Sequence, residues 1–369
     1  MMTRIFHPIG QGAFYTERFE KINVVYDCGC GVKENICKIG DEAVKQSFES
    51  TDEIDILFIS HFDRDHINGI KTLKKHCKSI KNVVLPELNN IEKMLIISIY
   101  RALGFKEGAN LIENPVRYFD EGTKIIRVES NKDQKEDNAN DKQIIEEIDN
   151  INREDKKIKS GTEIVSSKDP NWCFIPYNYK YIERKGKLKK KLANDGLIIE
   201  KIVNGDSDYI INNLEKLEEV YKEILNKKLN ENSMLLYSGP LEQKNNNALI
   251  SSWHISLRYI CHKHRILNRI GCIYTGDADL NKVKIRKIFD KKYLDSVGTV
   301  QIPHHGSRTS FKEDFFDGKF YFCPISAGRI NSYKHPHHQV ISSIFSNNAL
   351  PIVINELPNF KFEQIIKRF

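Results

Sequence analysis

The sequence predicts an α/β fold with strands and helices mixed along the chain, and three observations carry that prediction. An apolar run at 54–59 is followed at once by Ser60-His61-Phe62-Asp63-Arg64-Asp65-His66, then by Ile67, Ile70 and Leu73 at helical spacing. This reads as strand, tight loop and helix start. Short apolar runs also recur and close on glycine-containing polar turns, Asp27-Cys28-Gly29, Thr275-Gly276-Asp277 and Pro303-His304-His305-Gly306, as strands ending in loops do. Residues 91–103, apolar on most of one side and stopped by Gly104, have a helical period.

The 369 residues suffice for one large domain or two. With 40% hydrophobic and 29% charged residues the chain has the composition of a soluble globular protein, on the polar side. No apolar run approaches the roughly 18 residues that span a bilayer, and the first residues lack a signal-peptide core. A cytoplasmic protein without a membrane partner is therefore expected. The eight cysteines form no Cys-x-x-Cys pair and are expected to be mostly reduced and buried. The net charge of +7 suits a polyanionic partner such as nucleic acid, although a lysine-rich composition alone gives such a value.

Taken in order, residues 5–14 and 22–29 read as two strands, with Gly10 and Gly12 allowing close backbone packing. Residues 79–86 read as a strand, 118–122 as a turn and 124–128 as a short strand. Between 131 and 160, 16 of 30 residues are charged with both signs mixed, so an exposed helix or disordered loop is expected there, and no core. An aromatic strand-like piece at 172–179 precedes the basic run 184–191. Leu214, Leu217, Val220, Tyr221, Ile224 and Leu225 then form a helical stripe. The region 130–232 reads as an insertion within a single domain of 1–369, a possible lid or substrate guide. The lysine run fits a solvated basic hairpin equally well. Strand signals resume at 234–239, after the asparagine-rich turn 245–247, at 272–274 and at 297–303. His254, His262 and His264 have the spacing of a strand and basic loop and are not expected to be ligands.

The chemistry concentrates at His61, Asp63, Asp65 and His66, two imidazoles and two carboxylates within six residues. These donors suit zinc, manganese or iron. In extended geometry His61, Asp63 and Asp65 project to one side, and the turn into the helix brings His66 towards a second metal. The competing reading is a polar loop in which Asp65 caps the helix and the histidines are solvated.

The segment His61-x-Asp63-x-Asp65-His66 resembles the signature of the metallo-β-lactamase superfamily, His-x-His-x-Asp-His, with Asp63 where the second histidine usually stands. A carboxylate there makes manganese a rival to zinc. Gly10-Gln11-Gly12 with Tyr26-Asp27-Cys28-Gly29, then Thr275-Gly276-Asp277, Pro303-His304-His305-Gly306-Ser307 and the Ser326 to His338 segment are similar to the hydrolase domain of ComEC, the competence DNA-uptake channel. The resemblance covers residues 5–128 and 234–355.

That resemblance implies an αββα metallo-β-lactamase sandwich, two mixed sheets flanked by helices, with a dinuclear site along one edge. Two divalent ions, zinc or manganese, would be held by His61, Asp63, Asp65, His66, Asp277 and His304, with Asp277 bridging. Asp65, His305 and His335 would be catalytic, His305 as proton donor, and His304 and His305 can exchange roles. Ser307, Arg329 and Asn331 would bind phosphate, Asp27 would orient a ligand from beneath, and Asn245 would stand where the superfamily commonly has a third histidine. The implied activity is phosphodiester hydrolysis of DNA through a metal-activated hydroxide. The alternatives are a small-molecule phosphodiesterase or thioester or lactone hydrolase, and a catalytically reduced binding subunit of a bacterial defence system. Protein partners are not readable.

Overall fold

The computed structural model describes residues 1–31, 34–131, 145–151, 155–179, 182–220, 233–241, 249–253, 265–266 and 269–367. Six strands open the chain: β1 (Met2–Phe6), β2 (Phe14–Arg18), β3 (Asn23–Cys28), β4 (Glu53–Phe58), β5 (Ser79–Pro86) and β6 (Lys124–Glu129). Next come β7 (Ile145–Glu147), β8 (Asp155–Lys159), β9 (Glu163–Ser166) and β10 (Asp169–Tyr177). The remainder are β11 (Leu235–Pro240), β12 (Leu249–Trp253), β13 (Arg265–Ile266), β14 (Gly271–Tyr274), β15 (Val297–Val300), β16 (Tyr321–Ser326), β17 (Ala349–Ile354) and β18 (Phe362–Lys367).

Among the described residues these strands make two sheets, one ordered β13-β12-β18-β1-β2-β3-β4-β5-β6-β8 and the other β17-β16-β15-β14-β11-β10-β9-β7. Both are mixed: β3 to β6 are parallel to one another while β1, β2 and β3 pair antiparallel. In the second sheet β14 to β17 are parallel and β10, β11 and β14 antiparallel.

The strands are apolar on both faces, and their period of two sorts the side chains into separate layers. Val24, Tyr26, Ile56 and Phe58 meet Trp172, Phe174, Leu236 and Tyr274 in a core between the sheets. Val25, Leu57 and Val83 turn the other way, against Val44, Ile70 and Leu73 of flanking helices. On the far side Leu235, Tyr237 and Ile273 pack against Ile285, Ile288, Val340 and Ile344. Helix, sheet, sheet, helix is the expected αββα sandwich.

Two local expectations are corrected. Residues 5–14 are not one strand: β1 ends at Phe6, β2 begins at Phe14, and the intervening loop carries Gly10 and Gly12 at positive φ. The charged stretch 131–160 does contribute core, because Ile148, Ile151 and Ile158 are buried between the sheets while Asp149, Asp155 and Lys157 near them are exposed. Average charge hid which face each residue occupies.

The region read as an insertion is divided. Its first part supplies β7 to β10, with β8 paired to β6 and β10 paired to β11, so it belongs to both sheets. Its second part is helical, and Leu188, Leu192, Leu197, Ile202, Leu217 and Val220 join the same outer cluster as helix Asn90–Ala102. The lysine run lies in helix Ile182–Asn194, not in a hairpin. Tyr221, Ile224 and Leu225 lie outside the described residues. No helix among the described residues is long and apolar enough to cross a membrane.

Candidate metal centre

Parallel strands bring their C-terminal ends to one edge, where loops can converge without disturbing the sheets. Here β3 ends in Asp27, β4 runs into His61 to His66, β14 into Thr275-Gly276-Asp277, β15 into His304 and His305, and β16 ends in Ser326. The approach of the His61 to His66 loop to β3 requires glycine. A Cβ on Gly29 would lie 2.4 Å from the backbone of Asp65 and 2.5 Å from that of His66, closer than any real contact.

Two overlapping groups of donor atoms result among the described residues, His61, His66 and Asp277, and Asp65, His66 and His305, the atoms of each lying within 4.8 Å of one another. The His66 Nε2 is 3.4 Å from Asp277 Oδ1, the His305 Nε2 is 3.3 Å from Asp65 Oδ2, and the His61 Nε2 is 3.7 Å from Asp63 Oδ2. Asp63 occupies the N-cap of helix Arg64–Ile67, yet its side chain makes no capping hydrogen bond. Its carboxylate is thus free to face the site.

The opposite nitrogen of each ring is fixed by the protein. His66 Nδ1 sits 2.8 Å from Asp27 Oδ2. Asp27 is wholly buried at φ +54° and also accepts from the Ser60 amide and hydroxyl; such backbone strain in an L residue clusters at functional sites. His61 Nδ1 is 2.9 Å from the Ser60 hydroxyl and 3.0 Å from the Ser233 hydroxyl, which also accepts from the Asp277 amide. His305 donates from Nδ1 to the Ser326 carbonyl at 2.9 Å. The Nε2 atoms of His61 and His66 are buried without a hydrogen-bond partner among the described residues. Buried polar atoms are normally satisfied, so aligned, partnerless imidazole nitrogens beside carboxylates are the donor set that a divalent cation fits.

The electrostatics agree. Burial would raise the Asp277 carboxyl, but His66, His304 and His305 hold it well below its usual range. Burial would likewise raise Asp65, which the His305 hydrogen bond and the charges of His66 and His305 keep down to about 2. Against burial, Asp277 and Asp27 raise His66, and Asp277 and Asp65 raise His305. The carboxylates thus favour positive charge at this spot, which is where a cation would be held.

The other expected site residues fall as follows. His304 lies outside both triads; its Nδ1 is 3.0 Å from the Ser310 hydroxyl, and burial lowers it. The ring of His335 is 5.7 Å from that of His304 and 6.3 Å from that of His305, and its Nδ1 is another buried atom without a hydrogen-bond partner among the described residues. Burial and the charges of His305, His304 and His337 lower it to about 3, so it is neutral. The Asn331 amide is spent on backbone, donating to Gly328 and His335 carbonyls and accepting from the His335 amide. Ser307 is buried with its hydroxyl on Thr309, and Arg329 is exposed at the rim. Asp279 turns away, accepting from the backbone and side chain of Asn281. Asn245, His254, His262 and His264 lie outside the described residues.

Sequence reasoning missed Ser233 and Gln301. Gln301 accepts from the Thr275 amide and donates to the Gly276 carbonyl, fixing the turn that presents Asp277. Neither has a local signal, since each acts on a loop far away in the chain. Of the other braces, Asp27 is expected beneath a ligand, and Ser60, adjacent to His61, lies within reach of a motif reading.

No family model and no curated protein matches the chain. Among solved structures, it is similar to the metallo-β-lactamase fold protein YhfI from Bacillus subtilis, at 6% identity and a TM-score of 0.37 over 98% of this chain and 100% of that one. It is also similar to human tRNase Z, short form, at 12% identity and a TM-score of 0.24 over 48% of this chain and 60% of that one. Likenesses this distant carry no argument about activity.

Proposed function

We propose that the chain is a divalent-metal-dependent hydrolase of phosphodiesters, with DNA as its substrate. The observation that carries this reading is the pair of overlapping triads in which the Nε2 atoms of His61 and His66 lack a hydrogen-bond partner among the described residues while every opposite ring nitrogen is braced. His61 and Asp63 would hold one ion, Asp65, His66 and His305 a second, with Asp277 shared. His305 is assigned as ligand in place of His304 because its Nδ1–H is committed to the Ser326 carbonyl, which aims Nε2 at Asp65, 3.3 Å away. When bound, such ions supply Lewis acidity, polarising a phosphoryl oxygen and acidifying water at neutral pH.

The protein's own groups do the rest. Ser60, Ser233 and Asp27 hold the ligand rings at fixed orientation, so little reorganisation accompanies the reaction. His304 and His335 flank the triads and hydrogen-bond the phosphate or the leaving oxygen. Arg329 at the rim and the lysines of helix Ile182–Asn194 draw in a polyanion, consistent with the net charge of +7. The test is incubation of the purified protein with single- and double-stranded DNA, RNA and cyclic nucleotides under Mn²⁺ and Zn²⁺. DNA cleavage that stops on chelation is expected. A metal-loaded protein that leaves every phosphodiester intact overturns the reading.

A further inference from the structure

The loop between β16 and helix His338–Ser346 holds two large apolar side chains in water. Ile330 is 87% and Tyr333 64% exposed, among the most exposed large apolar residues of the described chain. They are not on a slack segment. Asn331 ties the loop to itself through the Gly328 carbonyl and both backbone groups of His335, and the Arg329 amide donates to Glu356 Oε2 at 3.1 Å. Fixing an aromatic ring in solvent gains nothing for folding, so a ligand is the natural reason for it.

The surroundings specify that ligand. The Tyr333 ring stacks on His335 with centroids 5.6 Å apart and planes 22° apart, and His335 is in turn 6.3 Å from His305. Arg329 and Lys334 are exposed on the same loop. An open aromatic face one ring removed from the donor cluster, on a loop that also carries two exposed cations, is the combination that takes an unpaired nucleobase and its phosphates. A duplex keeps its base faces stacked inside and cannot use it.

We infer that Tyr333, with Ile330 beside it, is a stacking platform for a base flanking the cleaved phosphate, and that the substrate strand is therefore single-stranded at the site. This rests on the phosphodiesterase reading above but is tested without turnover. The probes are a fluorescein-labelled, hydrolysis-resistant phosphorothioate single strand, its duplex and its abasic counterpart, with binding followed by anisotropy in the presence of Mn²⁺. The single strand should bind more tightly than the duplex. Tyr333→Ala should weaken single-strand binding by about ten-fold, a typical loss for one stacked base, Tyr333→Phe should not, and the abasic strand should be indifferent to both changes. Equal single-strand affinity for Tyr333→Ala and the unaltered protein overturns the inference. So does an equal loss on the abasic strand, or a shift from dimer to monomer in sedimentation with strand affinity unchanged, which would make the loop a self-association face. Absence of cleavage by the unaltered, metal-loaded protein with stacking intact would instead count against the hydrolase reading alone.

Discussion

The two ring nitrogens of His61 have opposite tasks: Nδ1 lies between the Ser60 and Ser233 hydroxyls, and Nε2 faces the site without a hydrogen-bond partner among the described residues. Because Ser233 also accepts from the Asp277 amide, one hydroxyl sets two ligands at once. Ser233→Ala should lower metal affinity by roughly 10–100-fold with the fold intact, read by competition with a coloured chelator; affinity unchanged within two-fold would show that the brace is idle. Asp63 tests ligand chemistry at the same scale. Asp63→His replaces a hard oxygen by imidazole and should move the activity preference from manganese towards zinc. Identical metal profiles before and after would remove Asp63 from the ligand set.

At the scale of elements, what could be read in the sequence was whatever lies within one strand–loop–helix unit. His61 to His66 declare themselves because all four donors sit in six residues, and Asp277 because a glycine turn presents it. The braces escaped because Ser233 and Gln301 act across the fold, on residues 172 and 26 positions away respectively. The strands β7 to β9 escaped for a different reason. Each is short, and the isoleucines buried in or beside them, Ile148, Ile158 and Ile164, stand next to charged residues, so averaged composition outweighed the alternation that folding obeys. Helix Ile182–Asn194 resolves the same ambiguity by face, burying Leu188 and Leu192 while exposing Lys189 and Lys190. If those lysines meet phosphate, replacing both with alanine should reduce the slope of log affinity for DNA against log salt by about one per lysine. Identical slopes across a salt series would place the helix outside the DNA path.

At the scale of the whole molecule, the sheets are joined by polar bonds as well as by apolar packing. The buried Arg4 on β1 donates to Glu17 at 2.7 Å and to Gln364, while Glu17 accepts from Ser238 and Tyr274 of the opposite sheet. Arg4→Met leaves that carboxylate without its cation in the core and should cost about 3–5 kcal/mol in urea denaturation; a loss below about 1 kcal/mol would mean that the network contributes little. Stability should also depend on pH through His7, which burial, aided by Lys361, lowers to about 3. Between there and the ordinary value of 6.5, the unfolded chain binds a proton that the folded chain does not. The contribution of neutral His7 is thus complete above pH 6.5 and declines as pH falls towards 3. His7→Gln should flatten the fall in Tm between pH 7 and pH 5, and an unaltered Tm–pH curve would rule that out.

Both sheets deliver a loop to one edge, and Asp277 is where the two halves of the site meet, 3.4 Å from His66 Nε2 and two residues from a carboxylate that faces elsewhere. The role of Asp277 is tested by elemental analysis of folded Asp277→Ala and Asp279→Ala beside the unaltered protein after manganese or zinc loading, with DNA hydrolysis followed on the same samples. If Asp277 is shared between two ions, Asp277→Ala should lose most of its metal and all measurable turnover, while Asp279→Ala should keep its metal and most of its activity. Full metal content and activity in Asp277→Ala would contradict the dinuclear hydrolase.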